Sequence, residues 1–336
     1  MVIFATFPKK LSNQIDKSKI SNTVYFRLLA SPNYLNIELF QRQKCLAFAN
    51  QNTKRGTLQR IIFLYRFLFI VFAAFLLPSA TVTAQNSPWE EINEGMHLAE
   101  FDSPIKSKTG DSKITILKID PEIYEFKLLM ASEQEGDARS VRQWAEDFQL
   151  VAATNAGMYQ KDFLASVGYM KSFSHINNPH LNKNNTVFAF NPKDSTAKPA
   201  QIIDRTCQDF ESIKPDYHSF VQSIRMVSCQ QENVWAKQPT RWSIASLGAD
   251  KSGNILFMFS RSPYAVHDFI NIVLTLPISL YNAMYLEGGS KAALYFTKGD
   301  TRVEKFGNFE TAAERESELG NAWPIPNVLG IVKKDN

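Results

Sequence analysis

The stretch Tyr285-Leu286-Glu287-Gly288-Gly289-Ser290, which continues as Lys291-Ala292-Ala293-Leu294-Tyr295-Phe296, decides the fold of this chain. Its apolar residues predict a strand up to Leu286 and another from Ala292, and the two glycines between them predict a tight turn. The carboxylate of Glu287 is therefore expected at a strand end. Glycines allow backbone N–H groups to approach an anion closely, and Ser290 adds a hydroxyl beside them. The alternative interpretation is a hairpin turn with an incidental glutamate.

Strand patterns flank this stretch. Residues Lys113–Asp120 and Tyr124–Met130 alternate polar and apolar side chains on either side of a turn at Pro121, which predicts an antiparallel pair. Residues 241–250 and 255–259 predict a hairpin, with Arg241 at its start.

Helical spacing of apolar residues occurs over residues 138–148 and 263–276, and Ser262 is a candidate cap for the second helix. Strands therefore outnumber helices, and several neighbouring strands have short links. We expect an α+β fold, a single domain with a mainly antiparallel β-sheet and a few packed helices.

Two more segments carry polar side chains at or near strand ends. The apolar run Leu150–Thr154 leads into Asn155-Ala156-Gly157-Met158-Tyr159, which places an amide and exposed backbone at the tip of a buried strand. An asparagine that caps its own turn is the alternative. Residues Ser219–Ser228 predict a strand that contains Ser223 and Arg225.

Composition argues against several classes of function. The net charge of +4 is small for 336 residues, and much of the basic excess lies in the first sixty or so, so no nucleic-acid partner is predicted. The five histidines, His175 and His180 among them, show no metal-ligand spacing, so no metal or other cofactor is predicted. The Gly289-Ser290 pair lacks the glycine pattern of a serine-hydrolase nucleophile.

The N-terminal third predicts export. Residues 61–84 combine a basic flank, an apolar run and a small-residue ending, as in a signal peptide cleaved after Ala84, and an uncleaved membrane anchor over residues 61–82 is the alternative. Residues 1–60 are interpreted as a poorly structured leader, 85–112 as an entry segment and 113–336 as the functional domain. The protein is expected to be periplasmic or secreted.

Only Cys207 and Cys229 lie beyond this predicted cleavage point. In an exported protein they favour a disulfide that closes a loop of about twenty residues, worth roughly 3 kcal/mol. Two buried free thiols are the alternative.

The order of four segments resembles the phosphodiester glycosidase family. These are the strand end at 155–159, the segment 221–227, the strand from Arg241 to Gly248 and the stretch 285–290. The resemblance spans roughly Lys113–Val332. Glu287 stands where members commonly carry aspartate, and Ala156 and Met158 replace residues that are glycine and aromatic in many members, so a changed substrate or lost activity is also compatible with the pattern.

The resemblance implies an enzyme that cleaves a sugar from a sugar-phosphate diester. Glu287 would act as base or nucleophile, Arg225 and Arg241 would hold the phosphate, and Asn155 would hydrogen-bond the sugar or the phosphate. Binding of the substrate would also involve the following residues: Gly157, Tyr159, Ser223, Gly288, Gly289 and Ser290. Asp268 is a candidate second carboxylate, although an aspartate on a helix is more often simply solvated.

A non-catalytic protein that binds glycans or the cell envelope on the same fold is the alternative function. Arginines and aromatic residues alone would serve such a protein, whereas a placed carboxylate such as Glu287 favours the enzyme.

Overall fold

Antiparallel strands make up most of the computed structural model, which describes residues 87–308 and 322–334. The strands are, in chain order, β1 Glu90–Asn93, β2 Met96–Asp102, β3 Lys113–Ile119, β4 Tyr124–Met130, β5 Ala152–Asn155, β6 Met170–Ser172, β7 His175–Asn178, β8 Thr186–Pro192, β9 Ala200–Asp204, β10 Tyr217–Ser223, β11 Arg225–Val227, β12 Trp242–Asp250, β13 Ile255–Tyr264, β14 Leu280–Gly288, β15 Ala293–Lys298, β16 Thr301–Phe306 and β17 Asn327–Lys333. The α-helices are α1 Val141–Asp147, α2 Phe210–Ile213 and α3 Val266–Thr275.

The strands form three sheets. The first sheet has the order β1-β2-β3-β13-β12-β14-β11, the second β7-β6-β10-β8-β9 and the third β16-β15-β5-β17-β4. Every pairing between these strands is antiparallel. The predicted α+β class is therefore corrected to mainly β, while the predicted excess of antiparallel strands over helices is confirmed.

All three sheets contribute to one central core. Phe126 of the third sheet packs edge-on against Phe188 of the second and Phe257 of the first, with ring centres 5.3 and 6.4 Å apart. Each sheet also has a second apolar face with its own cover. Helix α3 covers the first sheet, the α2 region the second and α1 the third. Packing between sheets therefore replaces the single sheet expected from the sequence.

Helix α1 confirms the helix predicted over residues 138–148, but it is shorter and begins at Val141. The Ser140 hydroxyl accepts from the Gln143 N–H at 3.1 Å, and the Gln143 side chain accepts from the Ser140 N–H at 2.9 Å. This capping box satisfies two N–H groups at the helix start. For α3 the predicted cap is wrong, because the chain enters the helix at Ala265 without a side-chain cap. Ser262 instead belongs to β13, where its hydroxyl accepts from the Ser112 N–H.

The strand pairing predicted from the sequence is wrong at two places. Strands β3 and β4 follow one another but do not pair, because β3 lies between β2 and β13 whereas β4 pairs with β17. The strand predicted over Ser219–Ser228 divides at Ile224, so that β10 joins the second sheet and β11 the first. By contrast, the hairpin of β12 and β13 is confirmed.

The segment 85–112 does more than lead into the domain, because β1 and β2 form one edge of the first sheet. The predicted leader (1–60) and signal segment (61–84) lie outside the described residues. Within the described ranges, no helix is both long enough and apolar enough to span a membrane.

Candidate active site

Strand β14 carries the chain from the first sheet into the third. It pairs with β12 and β11 and ends at Gly288, and a single 3-10 turn over Gly289–Lys291 leads into β15, which pairs with β5 and β16. The strand, turn and strand predicted here are confirmed. The hairpin alternative is wrong, because the two strands belong to different sheets. Glu287 therefore lies where two sheets meet.

Asn155, the last residue of β5, holds this turn. Its Nδ2 donates to the Lys291 carbonyl at 2.9 Å, and its Oδ1 accepts from the Ala293 N–H at 2.8 Å. The side chain is buried, with 1% exposure. The Asn155 amide thus fixes the backbone on both sides of Ala292, which positions the Lys291 side chain relative to Glu287.

Glu287 is half-buried and lies opposite Ala245 of β12. Burial raises the pKa of its carboxyl from 4.5 to about 7, although the Gly288 N–H and the charge of Lys291 both lower it. The Gly288 N–H donates to Glu287 Oε1 at 2.9 Å. A carboxyl group that titrates near neutral pH in a structured site is suited to acid–base chemistry.

Lys291 is the cation beside Glu287, and it was not among the site residues predicted from the sequence. Its Nζ lies 4.8 Å from the ring centres of both Tyr159 and Phe163. Burial raises the pKa of the Tyr159 hydroxyl, Lys291 opposes that rise and the charge of Glu287 adds to it. The three polar groups therefore interact electrostatically. Its position directly after Gly288-Gly289-Ser290 is the feature of the sequence that could have identified Lys291 as a site residue.

Close packing explains the first glycine of the turn. A Cβ on Gly288 would overlap the Tyr285 hydroxyl and the Trp242 indole. The Gly288 N–H, which was predicted to contribute to an anion nest, donates to Glu287 in this structure. Gly289 and Gly157 both adopt positive φ, +68° and +108°, which glycine tolerates best.

Three buried polar atoms near the end of β14 have no hydrogen-bond partner among the described residues. They are the Tyr159 hydroxyl, the Ser223 hydroxyl and the Trp242 indole N–H. Ser223 is close to this end because the next residue, Ile224, accepts from the Tyr285 N–H at 2.9 Å. An unpaired buried polar group costs about 1–3 kcal/mol, so such a cluster suggests a site where a ligand completes the bonding. Ser290 is also buried, in the turn itself.

The two predicted arginines differ in their surroundings. Arg225 is paired with the buried Asp204 at 2.8 Å, and only its Nη1 takes part in hydrogen bonds with described residues. Arg241 is half-buried just before β12, and it has no hydrogen bond or ion pair within the described part of the chain. Since Ile244 of β12 lies opposite Gly288, Arg241 belongs to the same end of the sheet as Glu287.

Asp268 does not join this cluster in the geometry found here. It lies in the first turn of α3, its side chain is 40% exposed, and its carboxylate lies 3.7 Å from the His267 ring nitrogen Nδ1. His175 contacts Ser132 at 3.0 Å through its ring nitrogen.

Cys207 and Cys229 form the disulfide that the sequence favoured. With Asp204 they are a group of metal-ligand side chains, within 4.8 Å of one another, in the described residues. Both sulfur atoms are consumed by the bond between them, so neither provides a thiolate for a metal.

A cleft of about 920 Å3 lies at the other end of β14, where Asp250 of β12 is opposite Leu280. Its Asp250 carboxylate is engaged by the backbone of Ser252 and by the backbone and side chain of Asn254. Glu287, Lys291 and the unpaired hydroxyls do not line this cleft. We place the candidate active site at Glu287, because the carboxylate, the cation and the unpaired polar atoms are combined there.

Comparison with known proteins gives a match over the part of the chain that contains Glu287 and Lys291. A sequence profile of the phosphodiester glycosidase family matches residues 148–332. No curated protein sequence matches the chain at a significant level.

The solved structures that match this chain include the following two. A hypothetical protein from Synechocystis is 14% identical with a TM-score of 0.53, over 75% of this chain and 65% of that one. This chain thus spans slightly less than two thirds of that protein, and the likeness supports the fold alone. The catalytic domain of zebrafish N-acetylglucosamine-1-phosphodiester alpha-N-acetylglucosaminidase, auto-inhibited by its pro-peptide, is 14% identical with a TM-score of 0.49, over 74% of this chain and 85% of that one.

Proposed function

This chain belongs to the phosphodiester glycosidase family, and from that premise we propose that it is a hydrolase that cleaves a sugar from a sugar-phosphate diester at the anomeric carbon. Such a reaction expels a phosphate monoester, which is a stable anion. Protonation of the leaving group is therefore less important than in ordinary glycoside hydrolysis, where a second carboxylic acid is central. One carboxylate and a fixed cation meet the main requirements.

Glu287 is the single observation that carries this proposal. It is half-buried, its pKa lies at about 7, and it occupies the junction of two sheets beside Lys291. At neutral pH a substantial fraction is ionised, so that it acts as a base toward water or as a nucleophile at the anomeric carbon. Glutamate is one methylene longer than the aspartate common in the family, so its carboxyl lies farther from the backbone. In this chain that carboxyl belongs to a half-buried residue.

Arg241 is the arginine best placed to hold phosphate, because the described residues leave its guanidinium unpaired at this end of the sheet. Its planar group binds two phosphate oxygens at once. Arg225 uses Nη1 to bind Asp204, and we assign its remaining nitrogens a secondary role toward the substrate. The Tyr159 and Ser223 hydroxyls, unpaired in the structure, are assigned to the sugar or the phosphate.

The remaining predicted residues shape the site. Asn155 acts as a positioning residue through the backbone of Lys291 and Ala293. Gly288, Gly289 and Ser290 form the turn that follows Glu287, and Gly157 follows Asn155 at the end of β5. We further propose that the protein is exported, on the signal-like composition of residues 61–84.

Release of free sugar from a panel of sugar phosphodiesters, in water enriched in 18O, tests the function. The purified full-length chain is compared with Glu287→Gln and with the control Glu304→Gln. Glu304 is also half-buried with a pKa raised by burial, but it lies on β16, outside the candidate site. We expect turnover with the label in the sugar, a loss of at least a thousandfold in Glu287→Gln and little change in Glu304→Gln.

Label in the phosphate would contradict cleavage at the anomeric carbon. Equal turnover in Glu287→Gln and the unaltered protein would exclude the role of this carboxylate. Saturable glycan binding without turnover in either form would favour the non-catalytic binding protein.

A further inference from the structure

The ammonium group of Lys291 is held in an unusual setting for a lysine. Its Nζ lies 4.8 Å from two aromatic ring centres, and it forms no ion pair with a carboxylate in the described ranges. Lysine side chains normally extend their charge into water or toward a carboxylate. Here the rings of Tyr159 and Phe163 fix the charge beside Glu287 without neutralising it, because ring faces attract a cation but carry no net charge.

The loop that supplies the two rings is built to stay in place. Gln160 donates its N–H to the Ala165 carbonyl at 2.7 Å, and the Asp162 carboxylate accepts from the N–H groups of Leu164 and Ala165, both at 3.0 Å. Phe163 adopts φ of +59° and its side chain is 56% exposed. Positive φ is unfavourable for phenylalanine and is more often found where function constrains the backbone.

The backbone of Lys291 is also held in place. Asn155 holds the Lys291 carbonyl at 2.9 Å, so the lysine starts from a defined backbone position. The Tyr159 hydroxyl is also buried, and the Lys291 ammonium is its only polar neighbour among the described residues that lowers its pKa. A fixed cation and an unpaired hydroxyl next to one another are suited to bind an anion with acceptor oxygens.

We propose that Lys291, with the Tyr159 hydroxyl and the shield of Phe163, forms the subsite for the phosphate group that leaves in the reaction. This inference rests on the proposed function and specifies which residues receive the leaving group. Water adds its oxygen to the anomeric carbon and gives a proton to Glu287. The bond between that carbon and the phosphate oxygen breaks, and its electron pair remains on the phosphate, where Lys291 stabilises the added negative charge. The subsite favours a phosphate monoester as leaving group over a neutral alcohol.

Binding of inorganic phosphate tests the subsite independently of turnover. Isothermal titration of the full-length chain is compared across Lys291→Met, Lys291→Arg, Tyr159→Phe and the control Lys298→Met, a lysine on β15 that pairs with Glu90 on the surface. We expect the affinity to fall at least tenfold in Lys291→Met, to fall about threefold in Tyr159→Phe and to stay within twofold in Lys291→Arg and Lys298→Met, in line with a charge-assisted contact.

Phosphate binding that is equal in Lys291→Met and the unaltered protein, or no phosphate binding by the unaltered protein at millimolar concentration, would overturn the inference. If Lys291→Met fails to fold, Lys291→Gln and Phe163→Leu replace it under the same criteria. Phosphate binding that depends on Lys291 without any sugar release would refute the hydrolase alone. Sugar release with Lys291-independent phosphate binding would refute the subsite alone.

Discussion

The Arg225 guanidinium donates through Nη1 to both oxygens of the Asp204 carboxylate, at 2.8 and 3.0 Å. Asp204 ends β9 in the second sheet and is fully buried, and Arg225 begins β11 in the first sheet. Burial pushes the pKa of Asp204 upward, but hydrogen bonds from Thr206, the Cys229 N–H and Arg225 together hold it below its ordinary value. The pair thus links two sheets next to the Cys207–Cys229 disulfide.

Arg225→Met is expected to destabilise the protein by about 3 kcal/mol, because it leaves the buried Asp204 carboxylate without its cation. The control Arg142→Met removes an exposed pair with Glu146 on α1 and should cost less than about 1 kcal/mol. Urea unfolding of both variants measures the difference. Equal, small losses would show that the hydrogen bonds of Thr206 and Cys229 suffice for Asp204.

The pH dependence of activity follows from Glu287. Its pKa of about 7 predicts that kcat/KM rises with pH up to about 7 and levels off above it, because the ionised form is the reactive one. A phosphodiester does not ionise in this pH range, so the rising limb of the pH profile reports ionisation of a group on the enzyme. Lys291→Met should move the limb to higher pH, since the charge of Lys291 lowers the pKa of Glu287, whereas Lys291→Arg should leave it in place.

A limb that stays in place in Lys291→Met would contradict the electrostatic contact between these two residues. A profile without any limb near pH 7 would show that Glu287 is not the group that must ionise.

The stability of the fold should also depend on ionisation of Glu287, but it should fall as the pH rises, whereas activity should rise. The folded pKa of Glu287, about 7, lies above its ordinary 4.5, so between these values the folded state keeps a proton that the unfolded state has released. The free energy of unfolding contributed by this proton is present below pH 4.5 and is lost as the pH rises to 7, a change of about 3 kcal/mol. Glu287→Gln should therefore gain stability relative to the unaltered protein at pH 8 compared with pH 5.

Urea titrations of both proteins at the two pH values measure this difference. A stability difference between them that does not change with pH would mean that the Glu287 carboxyl titrates alike in the folded and unfolded states.

The sequence predicted which residues form strands better than it predicted which strands pair with one another. The alternation in β3 and β4 identifies a buried face for each strand, but a period of two carries no information about which edge pairs with which strand. Likewise the Gly288-Gly289 turn has the composition of a hairpin turn. The two strands that it joins nevertheless lie in different sheets, the first and the third, which the composition does not reveal. Lys291 was missed for a related reason, since its aromatic contacts come from a loop more than 120 residues earlier in the chain.

The Asn155 amide satisfies two backbone groups of the turn next to Glu287. Asn155→Ala leaves the Lys291 carbonyl and the buried Ala293 N–H unpaired, and should cost about 2 kcal/mol or more. Asn282→Ala is the matched control. Asn282 is equally buried on β14, but its amide makes one hydrogen bond, from Nδ2 to the Ile202 carbonyl at 2.9 Å, and its Oδ1 is already unpaired among the described residues.

We therefore expect Asn155→Ala to be the more destabilising of the two by about 1 kcal/mol in urea unfolding. It should also weaken phosphate binding severalfold, because the Lys291 backbone is released, whereas Asn282→Ala should leave binding unchanged. Asn155→Asp separates the two effects. It keeps the acceptor for the Ala293 N–H but loses the donor to the Lys291 carbonyl and adds a buried negative charge, so it should fold less well than Asn155→Ala above neutral pH. If phosphate binding survives intact in a folded Asn155→Ala protein, the amide supports the fold without positioning Lys291.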